Sequence, residues 1–251
     1  MKNKPLYRFF DSLDSTSNEA RRMLDADFSM GKTAVIVAGK QSQGRGRQGK
    51  SFLSPEGGIY FSIILPIGFI EGDYIGITTY AALCASHVIS RYSGADARIK
   101  WVNDIYVGDR KVCGILTELI RDRKTNQPKA MIIGVGINRT GYEIPSDLAE
   151  IAGAVDISRE DIEALIGDFY DELTGYGGTI KDYMPEIRRR SCVIGREVCY
   201  MAGDTANYGK VTGLSDEGYL EILSAEGASV VLSSGEVSLR FSDDKRHDML
   251  R

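Results

Sequence analysis

The sequence has little with which to hold a metal. It contains two histidines, His87 and His247, and four cysteines, Cys84, Cys113, Cys192 and Cys199. No two cysteines form a C-x-x-C pair, and both histidines lie far from any cysteine cluster. Zinc needs several such donors converging. A structural zinc site is therefore not expected, and buried reduced thiols are the simpler reading. Long apolar runs are also missing. Gly, Thr or charged residues interrupt each one well short of the roughly 20 residues that a membrane-spanning helix needs. Met1 to Phe10 carries charges and Pro5 but no apolar signal core. Nor is there an excess of positive charge. The formal net charge is −4, which argues against a general nucleic-acid binder but not against a local basic site. Internal repeats and low-complexity segments are absent. These absences leave a cytoplasmic globular protein, long enough at 251 residues for one large domain or a large one and a small one.

Periodicity then divides the chain. Asp14–Asp27 predicts a helix, with Thr16 and Glu19 at capping-box spacing. Thr33–Ala38 and Ile59–Leu65 predict strands. Tyr74–Tyr92 is apolar enough for a buried helix. Arg98–Val107 and Lys111–Ile120 predict two strands of a hairpin around Gly108-Asp109-Arg110. Met131–Ile137 predicts another strand. Ser158–Leu173 predicts a helix capped by Ser158, and Thr179–Arg190 a further one. Past Ser191 the texture changes to short, closely spaced strands: Glu197–Met201, Lys210–Leu214, Tyr219–Leu223, Ser229–Leu232 and Glu236–Phe241. The expected architecture is α+β, a mixed sheet with flanking helices over residues 1–190, plus a small β-barrel over residues 191–251.

Three segments carry chemistry. Gln41-Ser42-Gln43-Gly44-Arg45-Gly46-Arg47-Gln48-Gly49-Lys50 lies between two predicted strands. Its glycines allow close backbone approach, its N–H groups can form an anion-binding nest, and three cations within six residues suit carboxylate and phosphate. The bland alternative, a mobile solvated turn, weighs about equally on these residues alone. Gly44 to Ser51 also satisfies the P-loop string. A P-loop must run straight into a helix, however, and Pro55, Gly57 and Gly58 oppose one, so a P-loop nucleotidase stands second. Lys100, in a strand-like run beside the only tryptophan, Trp101, could neutralise a developing charge. By itself it reads better as a snorkelling edge lysine. Ser15, Thr16 and Ser17 open a helix and suit a polar ligand head, although plain capping also accounts for Thr16. Gly134-Val135-Gly136 ends an apolar strand where a ligand, or simply another element, could pack on backbone.

In their order these pieces resemble the catalytic domain of biotin–protein ligases. The matching runs are Asp14-Ser15-Thr16, Gly44-Arg45-Gly46-Arg47, Lys100-Trp101-Val102-Asn103-Asp104-Ile105, Gly114-Ile115-Leu116-Thr117-Glu118 and Gly134-Val135-Gly136-Ile137-Asn138. The β-rich end, with Gly209-Lys210-Val211 and Ser234-Gly235-Glu236-Val237, resembles the small SH3-like C-terminal domain of that family. The resemblance implies a class II aminoacyl-tRNA-synthetase-like or biotin ligase-like fold. It also implies activation of biotin with ATP and Mg²⁺ to biotinyl-5′-AMP, and transfer to a lysine of a biotin carboxyl carrier protein or domain. Carried over by position, biotin would be contacted by Ser15, Thr16, Ser17, Gln41, Arg45, Gly46, Arg47, Lys100, Gly114 and Gly134. ATP would be contacted by Arg45, Arg47, Lys50, Trp101, Asn103 and Asn138. Lys100 and Arg47 would be the catalytic cations. The family pattern has Ser-Thr-Asn where this chain has Ser15-Thr16-Ser17, Pro where it has Val102, and commonly Arg where it has Lys50. Because the Ser15-Thr16 motif begins almost at once, the comparison implies the ligase-only type without a DNA-binding helix-turn-helix. It leaves a homodimer open. Lipoate or octanoate ligases, which share a related fold, are the nearest rival reading.

Overall fold

The computed structural model describes residues 4–26, 31–67, 76–141, 144–202, 205–233 and 237–239. His247, Ser234 to Glu236, and the predicted element ends at Asp27, Tyr74 and Phe241 lie outside them. The elements run β1 (Leu6–Phe10), α1 (Thr16–Asp25), β2 (Ala34–Ala38), β3 (Ile59–Pro66), α2 (Gly76–Ser93), β4 (Ala97–Lys100), β5 (Asp104–Val107), β6 (Arg110–Arg121) and β7 (Pro128–Ile137). Then come α3 (Ile162–Leu173), α4 (Ile180–Arg190), β8 (Glu197–Ala202), β9 (Thr205–Leu214), β10 (Leu220–Ser224), β11 (Ser229–Leu232) and β12 (Val237–Leu239).

The first seven strands form one sheet in the order β1-β2-β3-β7-β6-β5-β4. It is mixed, because β1 runs parallel to β2 while the other pairs are antiparallel. Helices cover both faces. On one face α1 buries Ala20, Met23 and Leu24 against Ala34, Ile36, Ile64 and Ile132. On the other, α2 and α3 pack Ile77, Leu83, Val88, Leu165 and Phe169 against Phe61, Ile63 and Ile133. This double cover explains why β3 and β7 are buried almost without alternation: a central strand with helices above and below has no wet face. It also explains α2, which is apolar nearly all round. The chain is thus α+β, with a second, antiparallel sheet in the order β11-β10-β9-β8-β12.

Several sequence expectations need correction. β1 was not anticipated. It is an edge strand with Leu6, Tyr7 and Phe9 exposed, so no buried face imposed a period of two. Arg98–Val107 is not one strand. It folds back on itself as β4 and β5, with Lys100 opposite Asp104. The side chain of Asn103, within the turn, donates to the Ile115 carbonyl at 2.8 Å, and the Asn103 backbone carbonyl accepts from the Ile115 amide at 2.9 Å. β6 therefore supplies the partners that make this turn, and it lies beyond the segment read locally. Helix α3 starts at Ile162 rather than Ser158. Ser158 Oγ instead accepts from the Asp161 amide at 3.2 Å in the preceding turn. The β5–β6 hairpin at Gly108-Asp109 forms as expected, Val107 facing Arg110. So does α4, whose Thr179 and Asp182 make a capping box.

Candidate active site

One cavity of about 280 Å³ gathers the N-terminus of α1, the loop after β2, the β4–β5 turn and the middle of β6 and β7. Its lining includes Ser15, Thr16, Ser17, Gln41, Arg45, Gly46, Arg47, Lys50, Lys100, Trp101, Asn103, Gly114 and Gly134. Segments far apart in sequence thus share one site, near the small end of the roughly 300–1,000 Å³ range of ligand pockets.

The α1 end is neutral and polar. Ser15, not Thr16, is the residue preceding the helix, and its side chain makes no capping bond. The expected Thr16–Glu19 box does not form. Thr16 N donates to Gln41 Oε1 at 2.8 Å and Thr16 Oγ1 does so at 3.2 Å, while Glu19 pairs with Arg22 at 2.7 Å. Beneath them the buried Ser62 hydroxyl joins Thr16 Oγ1 at 2.8 Å and Ser17 Oγ at 3.1 Å. Gln41 Nε2 donates to Ser54 Oγ at 2.9 Å. The exception is Ser15, which is 1% exposed and whose Oγ has no partner among the described residues. Buried hydroxyls are usually hydrogen-bonded, so this one is a candidate contact for a polar ligand.

The loop end is cationic. Residues 41–54 form a short ladder rather than an open turn: Gln41 N to Ser54 O at 2.9 Å, Phe52 N to Gly44 O at 2.9 Å and Gly46 N to Lys50 O at 2.7 Å. The two limbs come so close at Gly44 that a Cβ there would lie 2.1 Å from the Phe52 carbonyl oxygen. The tip is a single 3-10 turn, Arg47–Gly49, with Gln48 (φ 53°) and Gly49 (φ 76°) in the left-handed region. No helix starts at Lys50, where the backbone is extended. The P-loop reading fails on this point.

Five cations line the cavity, Arg45, Arg47, Lys50, Lys100 and Lys111, against one carboxylate, Asp104. Arg45 is held by Glu118 at 3.0 Å, and Glu118 also takes Arg21 at 2.7 Å. Lys111 pairs with Asp104 at 2.7 Å. Arg47 donates to the neutral Asn103 Oδ1 at 2.9 Å. Lys100 Nζ sits 5.4 Å from the centre of the Tyr106 ring, and burial raises the Tyr106 phenol so that it stays neutral. Among the described residues neither Arg47 nor Lys100 has an ion-pair partner, so the positive field there is uncompensated. The nearby thiols are unsuited to nucleophilic work. Burial raises Cys113 and pushes Cys192 up to about 11, although Lys100 opposes the latter shift.

Asn138 is not in this lining. It is buried, and its amide nitrogen donates to the Gly153 carbonyl at 3.0 Å and to the Lys111 carbonyl at 3.4 Å. Its place just past the end of β7 turns the side chain toward backbone, not toward the cavity. Trp101 lines the wall, while its indole N–H is committed to the Gly218 carbonyl. Phe52, Lys111 and Ser62 went unnoticed in the sequence. The glycines that face Phe52 were the available signal, but they read equally well as ligand contacts.

The chain is similar to known proteins. Residues 10–138 match the model of the biotin/lipoate A/B protein ligase family, and residues 193–240 match the biotin protein ligase C-terminal domain. The bifunctional ligase/repressor BirA of Bacillus subtilis (strain 168) is 29% identical over 238 residues, 90% of this chain and 72% of that protein. The biotin–[acetyl-CoA-carboxylase] ligase of Paracoccus denitrificans is 24% identical over 246 residues, covering 87% of this chain and 94% of the relative. A biotin protein ligase from Aquifex aeolicus, solved in complex with biotin and ATP, superposes with a TM-score of 0.78 at 30% identity, over 94% of this chain and 99% of that one. With more than half of its length matched by one family model and its fold shared with that solved ligase, this chain belongs to the biotin/lipoate A/B protein ligase family.

Proposed function

We propose that this protein is a biotin–protein ligase that works through an acyl-adenylate. First, a carboxylate oxygen of biotin attacks the α-phosphorus of ATP. A new O–P bond gives biotinyl-5′-adenylate, and the bond to the β-phosphate's bridging oxygen breaks to release pyrophosphate. Second, the ε-amine of a lysine on a biotin carboxyl carrier protein or domain attacks the anhydride carbonyl. An amide forms, the amine gives up a proton and AMP leaves. Negative charge builds on oxygen in both steps. Lys100 and Arg47 neutralise it, and fixed cations at a desolvated site are effective because they need no reorganisation.

The observation that carries the reading is the polarity of the cavity. Its neutral end holds the unpartnered Ser15 hydroxyl with Thr16, Ser17 and Gln41, and its cationic end holds Arg45, Arg47, Lys50 and Lys100. A ureido ring offers donors and an acceptor to the first, and a carboxylate beside a triphosphate suits the second. Lipoate or octanoate would leave the hydroxyls facing apolar atoms, which is costly for buried polar groups. The floor at Gly134 suits the acyl chain of biotin, whereas Gly114 is faced by the Phe52 ring, and Trp101 and Asn103 border the nucleotide. Among the described residues no three His, Cys, Asp or Glu side chains converge on a metal site. Mg²⁺ in this reading arrives on the triphosphate, and no step is assigned to it. The cysteines are free, in keeping with a reducing cytoplasm, and among the described residues no helix is long and apolar enough to cross a membrane.

The test is biotin-dependent exchange of labelled pyrophosphate into ATP, followed by transfer to a purified carrier domain. Exchange driven by lipoate but not by biotin would replace this reading with its rival.

A further inference from the structure

We propose that Gly136, together with Gly114, is a positioning residue. The two bare α-carbons seat the Phe52 ring, and the seated ring holds the Gly44–Lys50 loop in place over the cavity. This deepens the functional reading above and rests on it. Gly114 and Gly136 stand opposite each other on β6 and β7. A Cβ on Gly136 would lie 2.4 Å from Phe52 Cε1 and 2.8 Å from Cζ, and one on Gly114 would lie 3.0 Å from Cε2. A Cβ cannot take the Gly136 position unless the ring shifts, and at Gly114 the ring would have to give by a few tenths of an ångström, so the ring fills space that two side chains would otherwise take.

Lys111 closes the seat. Its ammonium lies 5.9 Å from the ring centre and is held by Asp104 at 2.7 Å, and a cation over an aromatic face is attractive. The backbone of Phe52 transmits the anchoring. Its N–H donates to Gly44 O at 2.9 Å and its carbonyl accepts from Ser54 Oγ at 2.9 Å. The ring therefore fixes the base of the loop that carries Arg45 and Arg47. Glycine inside a strand gives up conformational freedom without packing in return. Two facing each other in adjacent strands need a reason, and the Phe52 ring supplies one. Gly134 is different. Although it lies on the same face of β7 as Gly136, its added Cβ would meet Ser17 Oγ at 2.8 Å, with no Phe52 atom among its nearest neighbours.

The test uses the full chain carrying Gly136→Ala, Gly114→Ala, Gly134→Ala, Phe52→Ala, or Gly136→Ala with Phe52→Ala. Tryptic cleavage after Arg45, Arg47 and Lys50 is followed by mass spectrometry. Gly136→Ala and Phe52→Ala should each raise the cleavage rate by about tenfold, as expected when overpacking or loss of the ring frees the loop. The double variant should go no further, because both changes remove the same anchor. Gly114→Ala should act in the same direction but less, and Gly134→Ala should leave cleavage unchanged. In steady state, Gly136→Ala and Phe52→Ala should raise KM for ATP, speed release of the adenylate and lower kcat of exchange, since the freed loop carries Arg47. Additive effects in the double variant, or wild-type cleavage in Gly136→Ala, would overturn the proposal. If Gly136→Ala does not fold, the Gly114→Ala and Phe52→Ala cycle decides by the same criterion. The functional reading fails separately, if the wild-type protein shows no biotin-dependent exchange whatever its cleavage pattern.

Discussion

The indole Nε1 of Trp101 donates a 2.9 Å hydrogen bond to the carbonyl oxygen of Gly218. Trp101 is in the wall of the cavity, and Gly218 is in the turn between β9 and β10 of the second sheet. The seam continues on either side. Arg188 Nε reaches Leu214 O at 2.8 Å, and Cys192 N reaches Ile99 O at 2.9 Å. The turn that presents Lys100 is therefore braced by the C-terminal sheet. Trp101→Phe keeps most of the buried ring but leaves Gly218 O without its donor. It should lower unfolding free energy by about 1–3 kcal/mol, the usual range for an orphaned buried polar group, as measured by urea denaturation. A denaturation midpoint equal to wild type would show that the seam adds nothing.

Lys100→Ala should remove the cation that the proposed mechanism sets against developing charge. Pyrophosphate exchange is expected to fall by about 10²–10³-fold, the scale seen when one preorganised electrostatic contact is deleted. Its stability should change little, because the side chain is only partly buried and has no ion-pair partner among the described residues. Wild-type exchange in a folded Lys100→Ala protein would remove Lys100 from the mechanism.

Asn138 offers the opposite expectation. Its side chain bonds the Gly153 and Lys111 carbonyls and is absent from the cavity lining. Asn138→Ala should destabilise the protein by about 1–3 kcal/mol in chemical denaturation and leave KM for ATP close to wild type. A large rise in KM with no loss of stability would restore the nucleotide-binding role that the family resemblance implies.

Glu186 links pH to stability. Arg189, and then Arg190 and His87, hold its carboxyl down at about 2 against an ordinary 4.5, with burial opposing. A folded value below the unfolded one means that this contribution is fully present above pH 4.5 and is lost as pH falls toward 2. Glu186→Gln should therefore flatten the acid limb of a melting-temperature-against-pH curve in that window and lower the plateau slightly at neutral pH, the pairs being partly solvent-exposed. An unchanged acid limb would assign acid sensitivity to other carboxylates, with Asp14, held low by Arg22, the first to examine.

Much of this protein is legible from local sequence. The cationic loop, the helix over Thr179–Arg190, the Gly108-Asp109 hairpin, the central strands and the mostly apolar α2 all follow from side-chain chemistry and periodicity over a few residues. The motif order also points to the family, because it preserves which groups must meet. Other features depend on distant partners. β1 exists because β2 offers it an edge, and Arg98–Val107 folds back because Ile115 supplies partners for Asn103. Thr16 is withdrawn from capping because Gln41 lies beside it, which leaves the Ser15 hydroxyl, not that of Thr16, as the unpaired group. The loop from Gly44 to Lys50 reads in sequence as an open, mobile cradle. In the structure it is a hydrogen-bonded ladder anchored by Phe52 on two glycines from other strands. The sequence by itself determined which chemical groups the protein has and how each short segment tends to turn. Which buried polar groups find partners was decided by tertiary structure, since a hydrogen bond or a close contact exists only once both partners occupy the same place.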